Sequence, residues 1–248
     1  MLLILPPSET KRDGGAEGSR LDLAALSHPS LTPQRSQALE ALLELSRDES
    51  TAMRALALGP TQRHELERNQ TVLTSPVLPA LERYTGVLYD GLDAGALSPR
   101  ERAFAAGHLV IHSALFGLLG ADDPVPAYRV SHNSRLPDLS LGRHWRNVVS
   151  DELAQHDGLV IDARSEAYAS LGRAPRRDDS VYLRVVTVGA SGRRVALSHF
   201  NKKAKGEFAR AVLAAGIEFA SVVELLAWAR SSGILLERGA DGELDLVV

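Results

Sequence analysis

The chain has no cysteine among its 248 residues. That excludes disulfides, thiolate nucleophiles, iron–sulfur clusters and cysteine-type zinc sites, and it suits a reducing cytosol. No stretch approaches the roughly 18 apolar residues that a bilayer span needs. The start, "MLLILPPSETK", has a four-residue apolar run and no leading positive charge, so it is not expected to be a signal peptide. There is no G-x-S-x-G elbow, no GxxxxGK[ST] loop and no GxGxxG fingerprint, so serine-hydrolase, P-loop and Rossmann readings have no local support. Repeats, low-complexity segments and proline-rich linkers are missing too, and one domain spanning residues 1–248 is expected. Net charge is -3 with a pI near 6.2, so any polyanion must be held by a local patch rather than by the whole-molecule field.

What is present is ordinary globular material, 44% hydrophobic and 24% charged. "LLIL" reads as a buried strand stopped by Pro6 and Pro7, and the loop "PPSETKRDGGAEGSR" after it as exposed and mobile. "QALEALLELSR" and "TQRHELERNQTVL" have helical spacing, and "PALERYTGVLYDGL" starts like a helix that Gly86 interrupts. The longest helical pattern is "SPRERAFAAGHLVIHSALFGLLG", with Ser98 as N-cap, Pro99 at the first position and Gly117 or Gly120 ending it. "GLVIDARS" is a strand delivering Asp162, Arg164 and Ser165 to its end. "VYLRVVTV" and "RRVALSHF" form a hairpin through "GASG", and "ILLER" and "LDLVV" a second one around "GADG". Helices are expected around 203–215 and 220–232. The fold class is α+β: a single mixed domain, its sheet largely antiparallel or mixed, with surrounding helices.

Chemistry-bearing residues gather at strand ends, where a rigid element aims them. In "PPSETK", Ser8 could be a nucleophile, Glu9 a base and Lys11 an anion contact; "IDARSEAY" repeats the layout with Asp162, Arg164, Ser165, Glu166 and Tyr168. "PAYRVSHNSR" adds Tyr128, Arg129, His132 and Arg135. In "SHFNKKAKGEFARAVL", Asn201 is a plausible N-cap and Ala204, Phe208, Ala211 and Val212 the buried stripe, so Lys202 and Lys203 fall in the first turn. Cations there oppose the helix dipole, whereas a bound phosphate or carboxylate would let lysines and amides act together. Gly206 would permit close approach of a ligand. His108 and His112 share a helix face at i, i+4, but the glutamate of HExxH is missing and a structural role is expected. "LFGLLG" has the glycine spacing of a tight turn between helices, with Gly117 and Gly120 as its hairpin candidates and a plain helix C-cap as the alternative.

Five motifs in this order, "LLILPPSETK", "YTGVLYDGL", "HSALFGLLGADDPVPAYR", "VIDARSEAY" and "SHFNKKAKGEFAR", resemble the YaaA-like peroxide-stress protein family, in the branch with "PPSETK" rather than "SPAKT". The resemblance runs from Met1 to about Leu213. It implies a cytoplasmic protein that limits hydrogen peroxide damage, in part by lowering free iron. It also implies a single mixed domain with a positive cleft, a helix–hairpin–helix-like element and binding to duplex DNA. Lys11 matches the basic position of the N-terminal loop, Lys202, Lys203 and Lys205 the "KKA(R/K)G" run, and Tyr84, Thr85 and Gly86 the "YTG" motif. Arg129 matches the arginine after "PY" or "AY", and Ser165 and Tyr168 the "S-x-x-Y" segment. Ala114 replaces the glycine of "SGLYG", and Lys205 replaces an arginine, keeping the charge but losing the bidentate fork.

Two functions from different classes follow. A duplex-DNA binder would use Lys11, Arg129, Arg164, Ser165, Lys202, Lys203 and Lys205 on phosphates. An enzyme acting on a nucleobase, nucleoside or damaged DNA would also use the serines, carboxylates and tyrosine that phosphate binding does not need, with Ser8, Glu9, Asp162, Glu166 and Tyr168 as catalytic candidates. No cofactor, metal site or membrane partner is expected, and without cysteine or Glu-x-x-His pairs an iron effect is expected to be indirect.

Overall fold

The computed structural model describes residues 1–188, 194–196 and 201–248. The strands are β1 (Leu2–Leu5), β2 (Leu78–Pro79), β3 (Leu109–Ser113), β4 (Gly117–Gly120), β5 (Pro124–Val125), β6 (Val160–Asp162), β7 (Ser180–Val188), β8 (Arg194–Ala196), β9 (Leu236–Arg238) and β10 (Glu243–Val247). The α-helices are α1 (Thr32–Leu45), α2 (Glu49–Ala55), α3 (Arg63–Gln70), α4 (Ala80–Arg83), α5 (Val87–Leu92), α6 (Pro99–His108), α7 (Leu141–Ala154), α8 (Glu166–Ala169), α9 (Asn201–Ala215) and α10 (Val222–Ser231). Residues 189–193, with the "GASG" expected to turn the first hairpin, and residues 197–200 lie outside the described residues.

The α+β domain is built on one mixed sheet in the order β4-β3-β1-β6-β7-β10-β9, with β8 on β7. Its centre is parallel: β1 pairs with β3 and β6, β6 with β7, and β7 with β10. Among the described residues antiparallel pairing in this sheet is confined to β3–β4, β7–β8 and β9–β10, and β2 and β5 form a separate antiparallel pair. The reason is legible in β1, whose four residues are all buried. A strand covered on both faces reads as an unbroken apolar run, and such strands suit a parallel core under helices.

The helix expected over 98–120 is corrected. Its start is as read, with Ser98 and Glu101 forming a capping box and Pro99 in the first turn. It ends at His108, and "LVIHS" becomes β3, parallel to β1 with Leu3 beside Leu109. A short β-branched run satisfies helix and strand patterns alike, and pairing with β1 decides for the strand. His108 and His112 therefore share no helix face. Gly117 and Gly120 sit in the buried strand β4, opposite Ser113 and Val110 of β3, in a hairpin that turns at residues 114–116 and not at a junction between helices. Gly117 has φ +66, and a Cβ on it would lie 2.7 Å from the Trp145 ring.

Helices α5 and α9 cross in near contact, and glycine explains how. A Cβ on Gly206 would lie 1.9 Å from the Leu88 carbonyl oxygen, and one on Gly91 2.8 Å from the Lys203 carbonyl oxygen. The approach that Gly206 permits is to another helix of the fold. Gly206→Ala must push the helices apart and is expected to cost about 1–3 kcal/mol, or roughly 2–4 °C in Tm per kcal/mol. Gly107→Ala, within α6 with nothing inside 4 Å of the added carbon, should instead raise Tm slightly. Thermal melts of the two variants check the pair.

Candidate functional site at the carboxyl edge of the sheet

Strands β1, β3, β6, β7 and β10 point the same way, so their carboxyl ends share one edge. Going along the chain, the sheet grows from β1 to β3 on one side, then jumps to β6 on the other. That reversal makes a crevice at the end of β1, the place where open sheets hold ligands. The loops after β1 and β6, and the end of β3, all meet there.

The loop after β1, read as exposed and mobile, is exposed over much of its length but pinned at defined points. Lys11 makes an isolated antiparallel bridge with Tyr84, and the Arg12 amide donates to the Arg83 carbonyl at 2.9 Å. Arg83 is fully buried and donates to the carbonyls of Arg12, Gly14, Pro76 and Val125. Burial pushes its pKa down to about 10. Arg68 adds an ion pair to Asp13 at 2.7 Å.

Lys11 is 5% exposed, its ammonium 4.1 Å from the Tyr128 ring centre and 5.3 Å from that of Tyr84. It donates to the Ser8 carbonyl at 3.1 Å and the Glu9 carbonyl at 3.4 Å. Desolvation lowers its pKa to about 7, helped by Arg129 and Arg68 and opposed by Glu65 and Glu9. Arg129 lies beside it, its backbone clamped in both directions by the Asn69 side chain and its guanidinium donating to Glu9 at 2.7 Å. Ser8 pairs with the Thr10 hydroxyl at 3.1 Å, so Glu9 is turned to Arg129 and not to Ser8. Beneath Lys11 the hydroxyls of Tyr84, Tyr128 and Ser113 are linked at 2.6 Å each. Burial raises both tyrosines above their ordinary pKa, so they stay protonated. Ser113 was not singled out from sequence; its position just before "ALFG", where the chain turns back, was the available signal.

The second cluster hangs from the end of β6. Asp162 receives the Arg164 guanidinium bidentately, at 2.8 and 2.6 Å. Arg164 is wholly buried and also donates to the Gly172 carbonyl and, at 2.6 Å, to Nδ1 of His112. Lys205 is buried as well: it donates to the Arg164 carbonyl at 3.0 Å and lies 5.2 Å from the Tyr182 ring centre. Desolvation lowers it to about 8, against the pull of Asp162 and Glu166. Ser165 caps α8, accepting from the Tyr168 amide at 3.4 Å, and Glu166 is exposed in the first turn. Tyr168 joins the clusters, its ring edge-on to His112 at 6.3 Å and to His132 at 5.4 Å, while Glu9 and Arg129 act on its hydroxyl electrostatically.

The basic run splits across α9. Lys205 faces inward with Ala204, Phe208 and Val212, whereas Lys202 and Lys203 are exposed, Lys203 3.4 Å from Glu207. Asn201 is the first residue of the helix and its Oδ1 has no hydrogen-bond partner among the described residues, so it does not cap the helix as expected, and Ala211 is only half-buried. An open groove of about 1120 Å³ adjoins the second cluster, lined by Asp162, Glu166, Arg173, Tyr182, Arg238 and Glu243. Its arginine rim, largely from "RAPRR", was missed from sequence because a charged loop reads as solvated surface. Among the described residues no three His, Asp or Glu side chains are grouped to hold a metal. No described helix is long and apolar enough to cross a membrane.

Two stability effects follow. Between pH 7 and about 10.5 the folded chain leaves Lys11 neutral while the unfolded chain protonates it, so stability rises with pH across that window. Lys11→Met removes the slope, and its Tm advantage over the parent, or its deficit, should shift against it steadily from pH 7 to 10. Arg164→Met strands Asp162 as a buried unpaired carboxylate and should cost about 3–5 kcal/mol, read by denaturant unfolding.

The comparisons with known proteins bear on the chain's family. The profile of a family described as "Peroxide stress protein YaaA" matches residues 1–233. A UPF0246 protein of Corynebacterium glutamicum is 41% identical over 255 residues, covering 100% of both chains. One from Streptomyces coelicolor is 39% identical over 244 residues, covering 97% of this chain and 93% of its own. One from Salinispora tropica is 30% identical over 227 residues, 88% and 83%. Both the full-length match and the order of the motifs lead to one assignment: the chain belongs to the YaaA family of peroxide stress proteins.

Proposed function

We propose that this chain serves the peroxide stress response by acting on a phosphate-bearing ligand with a nucleobase, admitted at the carboxyl edge of its sheet. The observation that carries the reading is Lys11: an amine taken out of water between two tyrosine rings, beside Arg129, at the switch point of a parallel sheet. Burying a cation this way is costly, and a ligand anion would offset that cost. Lys11 and Arg129 hold the anion, which takes the place of the Glu9 carboxylate. Tyr168 is the ring that a planar base would meet, while Tyr84 and Tyr128, buried beneath Lys11, hold the ammonium in place. Asp162 is committed to Arg164, which leaves Glu166, beside the groove, as the carboxylate for general base chemistry. Ser165 and Arg164 serve the frame. The reaction takes place in the cytoplasm, in keeping with a chain free of cysteine, and any fall in free iron follows from it indirectly.

A second reading, duplex DNA, is favoured by the exposure of Lys202 and Lys203 at the start of α9, one turn from Lys205 and the end of β6. The two are compatible, because an enzyme that works on a base within a duplex must hold the backbone and extrude the base.

Thermal shift with thymidine 5′-phosphate, thymidine and inorganic phosphate tests the first reading. The nucleotide at a hundredfold over its Kd should add roughly 2.7 kcal/mol, about 5–10 °C, and Lys11→Met should abolish the shift. No shift with any probe would sink it. For DNA, Lys202→Glu with Lys203→Glu should abolish a gel shift whose affinity falls with salt by a slope of about 0.9 per phosphate. Binding that survives the double change without salt dependence would dismiss the duplex.

A further inference from the structure

His112 is fully buried on β3, and the group facing its Nδ1 selects its tautomer. Arg164 donates to that nitrogen at 2.6 Å. A guanidinium has no acceptor and keeps its proton, so Nδ1 must be the bare nitrogen and Nε2 must carry the hydrogen. Asp162 holds Arg164 by both carboxylate oxygens, which fixes the guanidinium and through it the ring. Burial and the Arg164 charge keep His112 well below its ordinary pKa, so the ring stays neutral. The Nε2 that results is a buried donor with no hydrogen-bond partner among the described residues. Leaving such a group unpaired costs about 1–3 kcal/mol, and so it asks for a reason.

The position supplies one. Strands β3 and β6 flank β1, so the Arg164–His112 bond reaches across the end of β1, at the switch point itself. We infer that His112 is a ligand-binding residue whose Nε2–H is held ready for an oxygen or nitrogen acceptor on the ligand, a base or sugar acceptor or a phosphoryl oxygen, with Asp162 and Arg164 as its positioning residues. A neutral imidazole is suited to this work: it donates across the physiological pH range without losing its proton to the ligand. Tyr168, carried on the single-turn helix α8, lies edge-on to the ring at 6.3 Å between centres. The inference rests on the proposed function for its choice of probe, not for the tautomer.

The test is NMR of the full chain labelled with nitrogen-15 histidine, His112 being assigned by its loss in His112→Gln. Expected is a bare Nδ1, a protonated Nε2 and no titration between about pH 5 and pH 8. Saturation with thymidine 5′-phosphate should move the Nε2 proton and slow its exchange. His112→Phe should weaken binding about tenfold, and His112→Gln, which keeps an amide donor near the Nε2 position, should weaken it less. Should the phenylalanine variant not fold, the resonance and the glutamine variant still decide. A proton on Nδ1, or a ring that titrates in that range, overturns the inference. So does a resonance that stays put when a probe binds in a manner Lys11→Met abolishes, and in that case the anionic-ligand reading survives. Thymidine that moves His112 and binds regardless of Lys11→Met upholds the inference and overturns the anionic reading. No binding by thymidine, its phosphate or inorganic phosphate overturns both.

Discussion

A guanidinium taken out of water must find acceptors, and the carboxyl edge of this sheet is organised by three that do so. Arg35, Arg83 and Arg164 are each fully buried. Arg35 donates to the carbonyls of Ser27, Phe116 and Leu118, and so holds the β3–β4 hairpin. Arg83 gathers carbonyls from the loop after β1 and from the segments around Pro76 and Val125. Arg164 joins the end of β6 to Gly172 and His112. Carbonyl-rich loops cannot be buried unless their oxygens are satisfied. The planar fork of arginine satisfies several at once, from segments far apart in sequence. In a chain without disulfides these side chains do the cross-linking.

That device explains what could and could not be read from residues alone. "LLIL" announces a buried strand because both faces are covered. Ser98, Pro99 and Glu101 mark a helix start because capping is local. The end of the same helix is not local: "HLVIHS" turns from helix to strand at Leu109 because β1 lies beside it, and no feature of the segment itself carries that information. The parallel centre of the sheet has the same origin, since the partners of β1 lie more than a hundred residues along the chain.

The candidate site was legible as composition and only partly as arrangement. The strand-end clusters are where the sequence places them, and Lys11, Glu9 and Arg129 meet. Arg164, however, is spent on Asp162 rather than on an external anion, and Lys205 turns away from Lys202 and Lys203. A residue's charge says what it can bind, but the helix phase says which way it faces, and two residues of phase separate buried Lys205 from solvated Lys203. The arginine staples were illegible for a related reason. Arginine ordinarily lies at the surface, and only the tertiary fold brings it the carbonyls that make burial tolerable.

The split of the lysines gives the edge two kinds of positive charge with different physical uses. Lys202 and Lys203 stand in water, where salt screens them within about 10 Å; they add local attraction to a molecule whose net charge is -3. Lys11 and Lys205 are desolvated, with pKa values drawn down to about 7 and about 8, so their charge depends on what stands next to them. An anion arriving beside Lys11 would raise its pKa and draw in a proton, because the charged form gains the partner it lacked. Exposed charge thus attracts without discrimination, whereas buried charge answers to a partner at close range. On the proposed function, selectivity resides in Lys11 with Arg129 and in the neutral donor of His112, and the outer lysines govern only approach.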